Sequence, residues 1–202
     1  MELPKYDGTI HPDKWLKQVQ AYCYLKEIEN EQRILKICKY LIDSTITIPD
    51  EINSVDELIK ALKSHSTFEI FKNSCIAKLE STRHVSEKKG GNTASFIANF
   101  RSLCNDAEIN NPEEIKSFLI NSYSNEFFKT EFAKNVIGIN SLDEIFKIFS
   151  DVVFEELKVI KYGSLIALKH VATGKYLSSC NINKLSNNKV LCIIILIILN
   201  NL

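Results

Sequence analysis

The feature that most constrains this 202-residue chain is a change of hydrophobic period near residue 160. Up to about Ile160 the apolar residues recur every three or four positions, the spacing that lays one face of a helix on a core. From Gly163 to Cys180 they alternate instead around Thr173-Gly174, as in a β-hairpin, where successive side chains point to opposite faces. Only about 40 residues follow the change, and a lone hairpin is marginal in water. The sequence therefore predicts one complete helical domain and a fragment of a β domain.

The charge changes at the same place. Residues 1–160 hold all 25 acidic residues, whereas 161–202 hold five lysines (Lys161, Lys169, Lys175, Lys184 and Lys189) and no acid. A formal net charge of zero thus conceals an acidic helical region and a basic ending. The longest basic run of the helical region is Lys88-Lys89, so the electrostatic footprint of a nucleic-acid binder is missing and direct contact with RNA or DNA is not expected. A composition of 45% hydrophobic and 25% charged residues belongs to a globular protein, which excludes the disordered and fibrous classes. Of the six cysteines (Cys23, Cys38, Cys75, Cys104, Cys180 and Cys192), the first four fall on apolar helix faces, where free cysteine behaves as a small hydrophobe. With no secretion signal at Met1-Glu-Leu-Pro-Lys, reduced thiols and a cytoplasmic location are expected.

Read along the chain, Asp7-Gly8-Thr9 is a turn and Pro12 suits a first helical position. A first helix is predicted from about His11 to Lys26, burying Trp15, Val19, Tyr22 and Cys23. A second, from about Glu29 to Thr45, turns Ile34, Ile37, Cys38 and Leu41 inward. Ser54-Val-Asp-Glu57 is a capping box opening a helix with Val55, Leu58, Ile59 and Leu62. Another helix follows from about Thr67, with Phe68, Phe71, Cys75 and Leu79 on one side. Glu87-Lys-Lys-Gly-Gly-Asn92 is the clearest break, because adjacent glycines are costly in a helix and cheap in a loop. It is predicted to separate two lobes, residues 1–87 and 88–160. Beyond it come a helix marked by Phe96 and Phe100, one opened by Asn111-Pro-Glu-Glu, a short one with Phe127, Phe128 and Phe132, and a last one. Ser141-Leu-Asp-Glu144, a second capping box, opens that last helix, which carries Ile145, Phe149, Val152 and Leu157. The fold class expected is mainly α, a two-lobed bundle of seven or eight helices, then a short hairpin within 161–189 and an apolar tail at 190–202.

The phrase Leu3-Pro-Lys-Tyr-Asp-Gly-Thr with Trp15 in the first helix resembles the start of the Gag capsid domain of long-terminal-repeat retrotransposons. The resemblance continues in order through Phe71-Lys-Asn-Ser-Cys-Ile-Ala-Lys-Leu79, Thr93-Ala-Ser-Phe-Ile-Ala-Asn-Phe-Arg101 and Phe118-Leu119. It implies a capsid-like fold that acts by self-association, in which Asp7, Gly8, Trp15, Phe71, Phe96 and Phe100 are structural. Two departures matter: there is no Cys-x-x-Cys…His…Cys zinc knuckle to grip RNA, and no Asp-Ser/Thr-Gly protease motif.

The β segment is similar to the repeat of MIR domains, through Gly163, Leu168, His170, Thr173-Gly174 and Tyr176-Leu177. That resemblance implies one strand–turn–strand unit of a β-trefoil binding module, with room here for a single repeat. Independently of it, Ile166 and Leu168 share a strand face, onto which Tyr176 can pack across the turn. His170 reads as a hydrogen-bonding organiser of the turn; with no Cys or Asp partner at ligand spacing it is not a metal ligand. The run Val190–Leu199 would span roughly 15 Å as a helix, about half a bilayer core, so no membrane span is expected and the tail reads as a non-native ending.

No phosphate loop, nucleophile elbow or zinc constellation is present, so no catalytic residue, metal or cofactor is expected. The function expected is a non-catalytic interaction protein: a capsid-like helical domain that associates with itself or with a protein partner, fused to a truncated MIR module. The alternative expectation is binding of a glycan or protein ligand by the MIR module, with the helices as carrier.

Overall fold

The computed structural model describes residues 3–158, with side chains through Glu155. These residues are mainly helical. Eight α-helices run α1 Pro12–Leu25, α2 Glu31–Leu41, α3 Val55–Ser64, α4 Ser66–Ser81, α5 Thr93–Asp106, α6 Pro112–Ser122, α7 Glu126–Asn135 and α8 Leu142–Lys158. The expected hairpin and apolar tail lie outside the described residues. No helix among the described residues is long and apolar enough to cross a membrane.

Each helix starts on a side chain that accepts one of the orphan N–H groups of its first turn. His11, Asn30, Ser54, His65, Asn92, Asn111 and Asn125 serve α1 to α7 in that order. For α8, Ser141 Oγ accepts from the Glu144 N–H at 3.4 Å. The Ser54 box is closed one residue early: Ser54 Oγ accepts from the Glu57 N–H at 3.2 Å, but Glu57 Oε2 accepts from Asn53, not from the cap itself, at 2.8 Å.

Helix α2 ends at Leu41, earlier than its apolar pattern suggests, because the N-terminal strap captures the chain there. The Tyr6 N–H donates to the Leu41 carbonyl at 2.8 Å and the Asp43 N–H to the Tyr6 carbonyl at 2.9 Å, an isolated parallel bridge of Tyr6 with Ile42. Trp15 locks the same strap from α1, its indole N–H donating to the Pro4 carbonyl at 2.9 Å. Asp7 Oδ1 then accepts from both the N–H and the hydroxyl of Thr9, at 2.9 and 2.6 Å. Gly8 takes the left-handed φ of +84° that this turn requires.

The buried residues form two apolar clusters. One gathers Tyr6, Trp15, Val19, Cys38, Leu58 and Leu62 with their neighbours in α1 to α3. The other gathers Leu79, Phe100, Leu119, Phe132, Ile145 and Phe149 with their neighbours in α4 to α8. They part at His65, which ends α3 and begins α4. The division therefore falls more than twenty residues before the Gly90-Gly91 loop expected to separate the lobes. That loop joins α4 to α5, which pack directly on each other within the second cluster. Its glycines close a tight turn: Ser86 O accepts from the N–H groups of Lys89 and Gly91 at 2.8 and 3.1 Å. Gly90 has a φ of +83°, and a Cβ on Gly91 would stand 1.8 Å from the Val85 carbonyl oxygen. The two glycines are a structural turn, not a hinge between cores.

Polar groups tie the clusters together. Lys14 of α1 reaches Asp106 Oδ1 at 2.7 Å and Ser102 Oγ at 3.0 Å on α5, and Lys63 of α3 meets Glu108 beyond α5 at 2.7 Å.

Candidate functional site

The described ionisable groups converge most closely at this seam. His11 is buried, its Nδ1 accepts from the Asp13 N–H at 3.2 Å, and its Nε2 stands 3.5 Å from Glu108 Oε1. Asp13 and Glu108 each hold the Lys63 ammonium, at 2.9 and 2.7 Å. Ligand atoms of His11, Asp13 and Glu108 lie within 4.8 Å of one another, the spacing a metal ion would need. The chemistry points the other way. Lys63 already supplies the cation between the carboxylates, and the capping role of Nδ1 leaves the proton of a neutral imidazole on Nε2, which closes that nitrogen to a metal. Burial holds the His11 imidazole below its ordinary value, while the hydrogen bond from Lys63 holds the Glu108 carboxyl below the usual glutamate range. The arrangement is a charge lock between cores.

The six residues singled out by the retrotransposon resemblance lie as follows. Asp7, Gly8 and Trp15 organise the N-terminal strap, and Phe71 stacks on Phe68 with ring centroids 6.2 Å apart. Phe96 stacks on Phe149 at 5.3 Å and meets Phe100 at 5.9 Å. The structure distributes these six residues over both halves of the helical unit and brings no chemistry together at them. The hairpin residues Gly163, Leu168, His170, Thr173, Gly174, Tyr176 and Leu177 lie outside the described residues.

Cys23, Cys38, Cys75 and Cys104 are buried and unpaired. Burial pushes the thiol of Cys38 up to about 11 and that of Cys104 up to about 12, which keeps them protonated and poor nucleophiles.

Two concave features were not foreseen. A groove of about 520 Å³ runs between α7 and α8, with Phe127, Phe128, Ile148 and Val152 as its apolar part and Glu131, Asp151 and Glu155 as acids. A smaller pocket of about 190 Å³ lies between the turn after α4 and the start of α7. The groove left a signal in the sequence. Phe127 and Phe128 are adjacent on a helix, roughly 100° apart, so both cannot point to the same core. Phe128 is buried while Phe127 is 63% exposed.

Comparison of the chain with protein-family models, with curated proteins and with solved structures finds no match.

Proposed function

We propose that the helical region is a non-catalytic interaction module of two-lobed, capsid-like organisation, and that it works by binding a protein, a second copy of the chain first among them. The observation that carries this reading is the α7–α8 groove. Phe127, on the α7 wall, is 63% exposed and faces a groove that Ile148 and Val152 of α8 also line, an apolar surface bordered by Glu131 and Asp151. Large aromatic side chains held on rigid helices supply contact area at little entropic cost, and exposed apolar patches of this kind mark association surfaces. The absence of an activated nucleophile among the buried thiols and the self-neutralised lock at His11 favour recognition over catalysis.

The test is light scattering coupled to size exclusion on the full chain over a wide concentration range, with Phe127→Glu as the control. The expected result is a concentration-dependent rise in mass that Phe127→Glu weakens by about tenfold or more, with helix content unchanged. A chain that stays strictly monomeric at the highest concentration removes self-association.

A further inference from the structure

The 190 Å³ pocket between the Val85–Gly91 turn and the start of α7 has cationic walls and no acidic one. We propose that it binds a phosphate-class oxyanion, held by Arg83, Lys89, the Ser86 hydroxyl and the N-terminal end of α7.

Among the described residues neither Arg83 nor Lys89, both exposed, takes part in an ion pair, whereas Lys14, Lys63, Lys72, Lys116 and Lys129 do. Arg83 is nevertheless fixed in place. Its Nη1 donates to the carbonyls of Glu80 and Thr82 at 2.6 and 2.9 Å, which anchors the guanidinium at the end of α4 and leaves its Nε and Nη2 donors for another acceptor. An anchored guanidinium and a lysine on the same pocket wall, neither with a counter-charge among the described residues, favour a tetrahedral dianion, which accepts several charge-assisted hydrogen bonds at once.

Ser86 adds an observation independent of charge. The residue is 8% exposed, its Oγ is buried without a hydrogen-bond partner, and it opens the short 3-10 turn without capping it. A buried hydroxyl with no partner is rare and unfavourable, and rotation of the Ser86 side chain about its Cα–Cβ bond would present it to an oxyanion in the pocket that this residue lines.

The third element is α7, ten residues long, whose cap Asn125 lines the pocket, its side-chain oxygen accepting from the Phe127 N–H at 3.0 Å. The remaining N–H groups of that turn carry the positive end of the helix dipole. The acid of the turn, Glu126, does not compete: its side chain is 84% exposed, drawn to Lys129 at 3.5 Å, and not among the walls. Glu87 is likewise exposed and outside them. The opposite wall is rigid, because Gly90 and Gly91 allow a closed turn that holds Ser86 and Lys89 in register.

This site does not depend on the association proposed above. It is tested on the full chain by amide NMR during titration with inorganic phosphate, against chloride at matched ionic strength. The resonances of Ser86, Lys89 and Asn125 are expected to shift saturably with phosphate only. Arg83→Gln and Lys89→Gln, both at exposed positions, are each expected to weaken the affinity by about fivefold or more. Ser86→Ala separates binding from folding: it is expected to leave Tm unchanged or raised while weakening phosphate by about twofold to fivefold. A parallel titration with O-phosphoserine identifies the source of the phosphate. Tighter binding of the ester points to a phosphorylated side chain, and tighter binding of the inorganic ion to free phosphate. Shifts that chloride reproduces, or an affinity that neither charge variant changes, overturn the proposal.

Discussion

The cluster of Tyr6 and helices α1 to α3 is aliphatic around a single aromatic pair, whereas the cluster of helices α4 to α8 is aromatic at its centre. In the first, Tyr6 and Trp15 meet at 5.2 Å, and closure depends on a strap of extended chain held by backbone hydrogen bonds. In the second, the Phe149 ring meets His84, Phe96, Tyr123 and Phe132 at centroid distances between 4.8 and 5.5 Å, and closure depends on that hub. A short-range aliphatic core can be completed by backbone from outside its helices. An aromatic core concentrates its stability in few rings with defined edge-to-face and stacked geometry.

The most direct way to break this comparison is to remove one centre at a time. Phe149→Ala is expected to cost about 3–5 kcal/mol, since it deletes a fully buried ring and leaves a cavity among four aromatic neighbours. Trp15→Ala falls in the same range and also releases the strap from its indole bond to Pro4. Urea unfolding followed by far-UV circular dichroism reads both. One transition displaced by either substitution means that the seam makes the clusters a single cooperative unit. Two transitions, only one of which moves in each variant, would mean that each cluster stands alone.

The turn between α4 and α5 sharpens the comparison at smaller amplitude. Gly91→Ala drives a methyl against the Val85 carbonyl and is expected to cost about 1–3 kcal/mol, because backbone must move. Gly90→Ala meets nothing within 4 Å and is charged only for its left-handed φ, about 1 kcal/mol. Thermal melts of the two variants check the order. If Gly90→Ala were the more damaging, the turn would not be held by close approach to Val85.

Much of this architecture was legible in the sequence, and what escaped did so for definite reasons. Helix starts at Ser54, Asn111 and Ser141 were readable because capping is a local event within three residues. The inward positions Val19, Leu58, Leu62 and Phe100 followed from period alone. Leu35 did not: it is buried while Ile34 and Ile37 beside it are only partly so, since the rotation of α2 about its axis is fixed by Tyr6 and Trp15 from elsewhere in the chain. The glycine pair looked like a separator because propensity reports what a residue tolerates, not which wall it approaches. The phosphate-class pocket was invisible for a similar reason. Arg83 and Asn125 lie far apart in sequence and are joined only by the packing of the second cluster, on whose edge Ser122 O accepts the His84 N–H at 2.9 Å.

The smallest expected effect tests the seam itself. His11 caps α1, Lys63 is on α3 and Glu108 lies beyond α5, so a proton placed on the imidazole is felt by both cores. Burial holds its pKa below the ordinary 6.5 and Lys63 pushes the same way, while Asp13, Glu108 and Asp106 oppose them. As pH falls, the unfolded chain takes up this proton before the folded one, so the unfolded state binds more protons and the equilibrium moves toward it. The stability contributed by neutral His11 is therefore full above about pH 6.5 and drains as the pH falls toward the folded value. Glu108, held low by Lys63, loses its own contribution only below its ordinary 4.5, outside this window. His11→Asn keeps a side-chain acceptor for the Asp13 N–H and removes the titration. Between about pH 7.5 and 5.5 the urea midpoint of the parent chain is expected to fall more steeply than that of His11→Asn. Equal slopes would mean that the His11 proton does not couple to folding, and the seam would reduce to its two lysine contacts.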